Sequence, residues 1–225
     1  MEQFTAAFIT EDRWKLYFQG LWTTMEIVLF AAILGLTLGT ICCLMNMSTT
    51  KKGKPTVFHY IASTYIDIIR GTPSVLQLLI MWFIIMRTST NGVLVAVISF
   101  GINSGAYVAE IMRGGIQSIN KGQLEAGDAL GIKRHTTMQY VILPQAFKNA
   151  LPTLCNEFIT LLKETAIVGY VSLADLTRVA NQVSSRTYQP FMPLIGAAVI
   201  YFVIIKIFTI LFGNLERRLR QDVAC

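Results

Sequence analysis

Five apolar runs, each about 20 residues or longer, constrain this chain more than any other feature. They cover 21–47, 57–86, 92–112, 150–171 and 191–213. A helix rises about 1.5 Å per residue, so a run of that length matches a hydrocarbon slab about 30 Å thick. Inside lipid no water satisfies a peptide group, and a helix satisfies its own. The expected fold is an all-α integral membrane protein with five transmembrane helices. Charge supports this, since 14% of residues are charged against roughly 25% in a soluble domain.

The second run is too long for one straight crossing, and it contains Arg70-Gly71-Thr72-Pro73. Gly and Pro together break a helix, and the freed backbone groups then need cover from protein or a cavity. A discontinuous helix is expected there. Three parts are expected: an extracytoplasmic amphipathic N-terminus (1–20), a five-helix transmembrane domain (21–215) with a polar segment inside it (120–147), and a tail (216–225). The N-terminal stretch has acids early and no basic-then-apolar order, so it does not read as a cleaved signal peptide. Phe8, Trp14, Tyr17 and Phe18 suit a headgroup-level aromatic belt. A plain extramembrane tail fits the same residues.

Lys and Arg set the expected orientation. With five crossings, Lys51, Lys52, Lys54, Arg113, Lys121, Lys133, Arg134, Lys148, Arg217, Arg218 and Arg220 share one side. Arg13, Lys15, Arg87, Arg178 and Arg186 take the other. The positive-inside rule puts the N-terminus outside and the C-terminus in the cytoplasm. The net charge of +6 clusters at the ends of apolar runs and forms no basic stripe with interleaved aromatics, which argues against nucleic acid. Lys206 lies near a helix end where its side chain can snorkel.

The polar segment 120–147 then faces the cytoplasm. Asn120 is a good helix N-cap, with Gln123 three residues on. A helix over 121–130 ends at Gly131, which suits the left-handed C′ position. A second helix starts after Thr136 or Thr137, and Pro144 stops it or opens the next. Two short helices with a Gly corner make a rigid knob on which a partner can dock; a solvated connector is the alternative reading, although connectors this long are uncommon in compact structures.

The segment resembles the EAA loop of ABC importer permeases, in which Glu-Ala-Ala is followed by a Gly and then by Ile-x-Leu-Pro. Here the residues are Glu125-Ala126-Gly127, Gly131 and Val141-Ile142-Leu143-Pro144. Gly127 and Val141 depart from that pattern. "IIRGTPSVLQLL", "NSGAYVAEIMRGGIQSINKGQLEA", "LPQAFKNALPTLCNEFITLLKET" and "LADLTRVA" are similar to the polar amino acid branch of these permeases, over nearly the whole chain. The resemblance implies a type I ABC importer permease fold in a bacterial cell membrane. It also implies a second permease subunit, two ATP-binding cassette subunits and an extracytoplasmic amino-acid-binding protein. ATP and Mg would be held by the ATPase chains, and this chain would hold no cofactor. Gln123, Leu124, Glu125, Ala126, Gly127, Leu130 and Gly131 are carried over as ATPase-coupling residues.

Charges inside the membrane are costly and usually functional. In 150–171, Asn156, Thr160 and Lys163 share one helical stripe, and Thr153, Glu157, Thr160 and Glu164 share the next. Family members recognise the amino acid at this helix, which favours Glu157 and Thr160. A zwitterion needs a guanidinium for its carboxylate and a carboxylate for its ammonium. Arg70, Asn103, Glu157, Thr160, Lys163 and Glu164 are therefore the expected substrate path. For Lys163 and Glu164 a seal between subunits fits equally, and for Asn103 helix packing does. Asp175, Arg178 and Arg186 fall in the outer loop, where they can meet the binding protein or simply face solvent.

Other classes fit less well. The chain has no Walker A motif, and His59 and His135 are isolated. Cys42, Cys43, Cys155 and Cys225 show no metal spacing, so no metal site is expected. Nothing here reads as an enzyme. A secondary carrier would show inverted repeats, which five runs do not supply.

Overall fold

The structure, a computed structural model, describes residues 2–48 and 54–221. Lys51, Lys52, Cys225 and the Arg220 side chain lie outside the described residues. The described residues are helices joined by short turns. Short turns over 2–12 lead into α1 (Arg13–Asn46). Then come α2 (Val57–Arg70), α3 (Ser74–Ile80, widened over Met81–Ile85), α4 (Gly92–Gln117) and α5 (Gly122–Ala129). A turn over Arg134–Thr137 runs through a wide turn, Met138–Ile142, into α6 (Leu143–Glu164). A tight 3-10 segment (Thr165–Val171), α7 (Leu176–Thr187) and α8 (Phe191–Gln221) complete the fold.

Helix starts follow local chemistry. The Thr56 hydroxyl accepts the His59 N–H at 3.3 Å and opens α2. Asn91 Oδ1 accepts the Leu94 N–H at 3.0 Å and opens α4. Asp175 accepts the Thr177 and Arg178 N–H groups, both at 2.9 Å, and opens α7. Each is an N-cap satisfying donors that a helix end leaves orphaned.

Among the described residues, three helices are long and apolar enough to cross a membrane: 5–46, α4 and most of α8. The pair α2–α3, bent by 105°, can supply one more. The expected fourth run is divided between α6 and the 3-10 segment. Its Asn156, Glu157, Lys163 and Glu164 keep α6 below the apolarity of the others. The helix is nevertheless packed inside the fold, against α4, α8 and α1.

Two expected boundaries fall inside helices. The one at residue 20 lies within α1, which begins at Arg13, and the one at 216 lies within α8. At about 1.5 Å per residue, α1 rises some 50 Å, so it extends well beyond a hydrocarbon slab. Apolarity marks where lipid starts, whereas the helix starts at the turn before it. There Glu11 and Asp12 both take φ of 56°, and Arg13 donates to the Ala6 carbonyl at 2.5 Å and to Glu11 at 3.0 Å. The aromatic belt is also corrected. Trp14 and Phe18 are exposed, but Tyr17 is 3% exposed and stacks on Phe8 with centroids 5.0 Å apart. Tyr17 belongs to a core with Leu176, Val179, Ala180 and Val183 of α7.

Helix α4 is central, and its most extensive partner is α1. Gly35 and Gly39, a small-xxx-small pair, let the two backbones meet. A Cβ on Gly35 would lie 3.0 Å from Ser104 Cβ. A Cβ on Gly39 would lie 2.5 Å from Val108 Cβ and 2.8 Å from the Gly105 carbonyl oxygen. Above this seam Ile27 and Ala31 pack with Leu78, Phe100, Leu161 and Val168. Cys43 closes the other end with Ile66 and Ala109.

Gly39→Ala is therefore expected to destabilise the fold by about 1–3 kcal/mol, the usual cost of overpacking. Gly213→Ala, where no atom lies within 4 Å of an added Cβ, should be neutral or slightly stabilising through helix propensity. Thermal unfolding of the purified protein in detergent compares the two, and equal melting temperatures would refute the seam.

Candidate functional site

The break between α2 and α3 comes first, because it fixes the surrounding helices. Pro73 cannot donate, so carbonyls near Ile69 and Thr72 lose helical partners. Gln77 covers them. Its Nε2 lies 2.7 Å from the Ile69 carbonyl and 3.2 Å from the Thr72 carbonyl. Asn103 Nδ2 in turn donates to Gln77 Oε1 at 2.9 Å. Asn103 is buried, and its amide nitrogen holds the break. Gln77 went unremarked in the sequence. Its only signal there is an amide residue in an apolar half-helix just after Pro73.

Arg70 and Glu157 are not brought together. The Arg70 guanidinium lies 3.5 Å from Glu110 Oε2 and 5.4 Å from the Tyr107 ring centroid. Glu110 also takes two bonds from Arg113, at 2.9 and 2.7 Å. One carboxylate thus serves two guanidiniums. Glu157 Oε1 instead accepts the Ser104 hydroxyl at 3.0 Å. Ser104 and Glu110 are separated by about 9 Å of helix rise on α4 and by about a third of a turn around it, so the two clusters lie at different levels and on different faces. Glu110 is the acid that pattern reading overlooked.

Glu157 faces a cavity of about 260 Å³ lined mainly by apolar side chains, among them Leu36, Val108, Phe158, Leu161 and Phe212. A carboxylate with one hydroxyl partner beside an apolar cavity is poised for a cationic or hydrogen-bonding ligand. Thr160 bonds back to the Asn156 carbonyl at 3.0 Å. Lys163 is exposed and borders a different cavity, of about 280 Å³, with Thr177 and Tyr201. Among the described residues no ion pair involves Lys163 or Glu164.

The polar segment has the expected corner. The Ile132 N–H bonds to the Gly127 carbonyl at 3.0 Å and the Gly131 N–H to Asp128 at 3.1 Å. With Gly131 at φ +71°, this is a Schellman cap. The cap at the other end shifts by a residue: Asn120 Oδ1 accepts Gly122 N–H at 2.8 Å rather than the N–H of Gln123. The second helix differs more. It starts at Arg134 and continues into α6 without a stop. Pro144 has no N–H for the Tyr140 carbonyl, and the helix widens in the turn just before it.

The residues expected to couple divide between two faces. Glu125, Ala126, Leu130 and Gly131 point outward, Leu130 at 77% exposure. Ile132 and Tyr140 are exposed as well. Gln123, Leu124 and Gly127 turn inward. Gln123 and Gln145 exchange amide bonds at 3.0 and 2.8 Å, clasping α5 to the start of α6. Leu124 borders a cavity with Ile116, Met138 and Ile142. Gly127 is buried against Thr137, and a Cβ there would lie 2.5 Å from Thr137 Oγ1.

Residues 35–221 match the model of the family described as "Binding-protein-dependent transport system inner membrane component". The chain belongs to that family. It is a multi-pass membrane permease. It is 42% identical over 207 residues to the arginine transport system permease protein ArtQ of Bacillus subtilis, covering 91% of this chain and 92% of that one. A putative glutamine transport system permease protein GlnP of Rickettsia typhi is 38% identical over 204 residues, covering 89% and 91%. The crystal structure of an amino acid ABC transporter with histidines superposes with a TM-score of 0.83 at 43% identity, covering 91% of this permease and 94% of that chain.

The Gly127–Thr137 contact makes a direct test of the permease's polar segment. Gly127→Ala should loosen it, by about 1–3 kcal/mol. Thr137→Ala in the same chain should restore it, since Thr137 is 2% exposed and its hydroxyl has no partner among the described residues. Hydrogen exchange across 120–137 reads both, and a double variant no better protected than Gly127→Ala would refute the pairing.

Proposed function

We propose that this permease is the membrane subunit of an ATP-driven, binding-protein-dependent importer of a polar amino acid. The carrying observation is Glu157, a half-buried carboxylate on α6 facing a cavity, on the helix that leads directly from the polar segment. The names of the relatives support an amino acid, with arginine and glutamine in their range and cystine as a further candidate. Glu157 would hold the α-ammonium or a basic side chain. Thr160 lies one turn on, and Asn103 shapes the site through the α2–α3 break. Lys163 and Glu164 would line the outer part of the path. Arg70, engaged by Glu110, would hold the bend rather than the substrate's carboxylate.

Two such permeases, alike or different, would pair with two ATP-binding cassette subunits that carry ATP and Mg. An extracytoplasmic binding protein would deliver the amino acid. The basic side would face the cytoplasm of a bacterial cell, with the N-terminus outside. This chain would catalyse nothing itself. The outward residues Glu125, Ala126, Leu130 and Gly131 would seat on the ATPase, where small residues permit close approach. The Gln123–Gln145 clasp and the unbroken run into α6 would then carry ATPase closure to Glu157. Rigid contacts of this kind convert a subunit movement into a helix movement.

In the reconstituted complex, Glu157→Gln should raise the KM for uptake about tenfold or more, with basal ATP hydrolysis retained. Unchanged affinity and selectivity would remove Glu157 from the site. Glu125→Lys and Gly131→Pro should uncouple hydrolysis from uptake while the membrane part stays folded. Pro cannot take the φ that Gly131 adopts. Wild-type uptake rates in both variants would overturn the coupling role.

A further inference from the structure

Helix α4 grips the α2–α3 break at two points on one face. The first is Asn103, whose amide holds Gln77 and through it the Ile69 and Thr72 carbonyls. The second is Glu110, whose carboxylate meets Arg70, the last residue of α2. Glu110 lies about two turns and 10 Å beyond Asn103 toward the Gln117 end of α4.

The two grips differ in kind. Asn103 is 4% exposed, and a buried amide bond is costly to break because it leaves its groups without partners. The Arg70 side chain is 42% exposed, and its guanidinium lies 3.5 Å from Glu110 Oε2. Among the described residues it forms no other ion pair. An ion pair this open holds weakly. The Tyr107 ring, with its centroid 5.4 Å from the guanidinium, offers a second resting place one turn back along α4.

Arg113 leaves Arg70 free to go. It holds both Glu110 oxygens in a fork, Nε to Oε1 at 2.9 Å and one terminal nitrogen to Oε2 at 2.7 Å. Parting an ion pair away from water usually strands a charge. Here Glu110 stays neutralised whether Arg70 sits on it or on Tyr107. Arg113 also reaches the other way, donating to Gln117 Oε1 at 2.9 Å. Gln117 ends α4 and walls the cavity of about 420 Å³ beneath α5, together with Leu124 and Met138.

We infer that Asn103 is the pivot of the α2–α3 break and that Arg70, Glu110 and Arg113 form its latch. Glu110 and Arg113 are positioning residues, which tie release of Arg70 to the base of the polar segment. This rests on the reading of that segment as the ATPase-docking part of an importer. It adds to the route along α6 a second one along α4, which ends on the break rather than on Glu157.

The test uses the permease–ATPase complex in nanodiscs, as wild type, Arg70→Gln, Arg113→Gln and Arg113→Lys. Arg70→Gln removes the latch. Arg113→Gln leaves Arg70 as the one partner of Glu110 and so tightens it. Hydrogen exchange over 69–77 should rise about threefold or more in Arg70→Gln and fall by as much in Arg113→Gln. Arg113→Lys, which keeps the charge but not the fork, should shift the same way as Arg113→Gln by less. ATP hydrolysis without binding protein should rise in Arg70→Gln. The kcat of uptake should fall about threefold or more in Arg113→Gln with KM unchanged. A merely structural cluster would loosen in all three variants. Exchange that moves in one direction in all of them, or in none, overturns the latch. Opposite exchange shifts with wild-type turnover in every variant overturn its part in transport. Uptake by the wild-type complex in proteoliposomes is scored separately. Its absence would remove the importer reading, while exchange at the break would still decide whether the latch exists.

Discussion

The close approach of α1 and α4 is the contact on which the rest of the structure depends. Gly35 and Gly39 bring two helix backbones together where a single methyl group would collide. Lipid supplies no hydrophobic drive between helices, so close packing and hydrogen bonds have to hold them. The seam also fixes Ser104, which lies against Gly35 and donates to Glu157. The position of the candidate site therefore descends from two glycines on a helix that contributes no charge to it.

The second constraint is the satisfaction of backbone groups in a medium without water. Pro73 frees carbonyls, Gln77 covers them, and Asn103 holds Gln77. The same logic governs the polar segment, where Gly131 closes a Schellman cap and Pro144 widens the helix before it. These devices turn a segment of charges, glycines and prolines into a stiff attachment to α6. Gly127 does not loosen that attachment. It is the residue that lets α5 lie directly on Thr137, so the departure from the usual Ala is matched by its neighbour.

Much of this was legible in residue order. The break at Gly71–Pro73, the left-handed Gly131 and the buried Cys43 and Cys155 came out as expected, because each depends on residues within a turn or two. Helix ends were less legible. Arg13 begins α1 through contacts with Ala6 and Glu11, which hydropathy does not register. Tyr17 and Phe8 looked interfacial because both are aromatics near an end of an apolar run, yet a helix arriving from residue 176 buries Tyr17. The expectation that Arg70 and Glu157 line one site rested on the complementary charges of a zwitterion and on the break beside Arg70, whereas Arg70 lies against Glu110.

The sequence by itself determined that this is a helical membrane protein, where its second membrane segment breaks, and that its polar insert is a capped helix with a glycine corner. These follow from local rules of solvation and backbone geometry. Only the tertiary structure decided which polar side chains meet. Ser104 reaches Glu157, Gln77 reaches Asn103, and Gln123 reaches Gln145. Such partners come from helices far apart in the chain, and which face of a helix meets which is set by how small residues let the backbones pack.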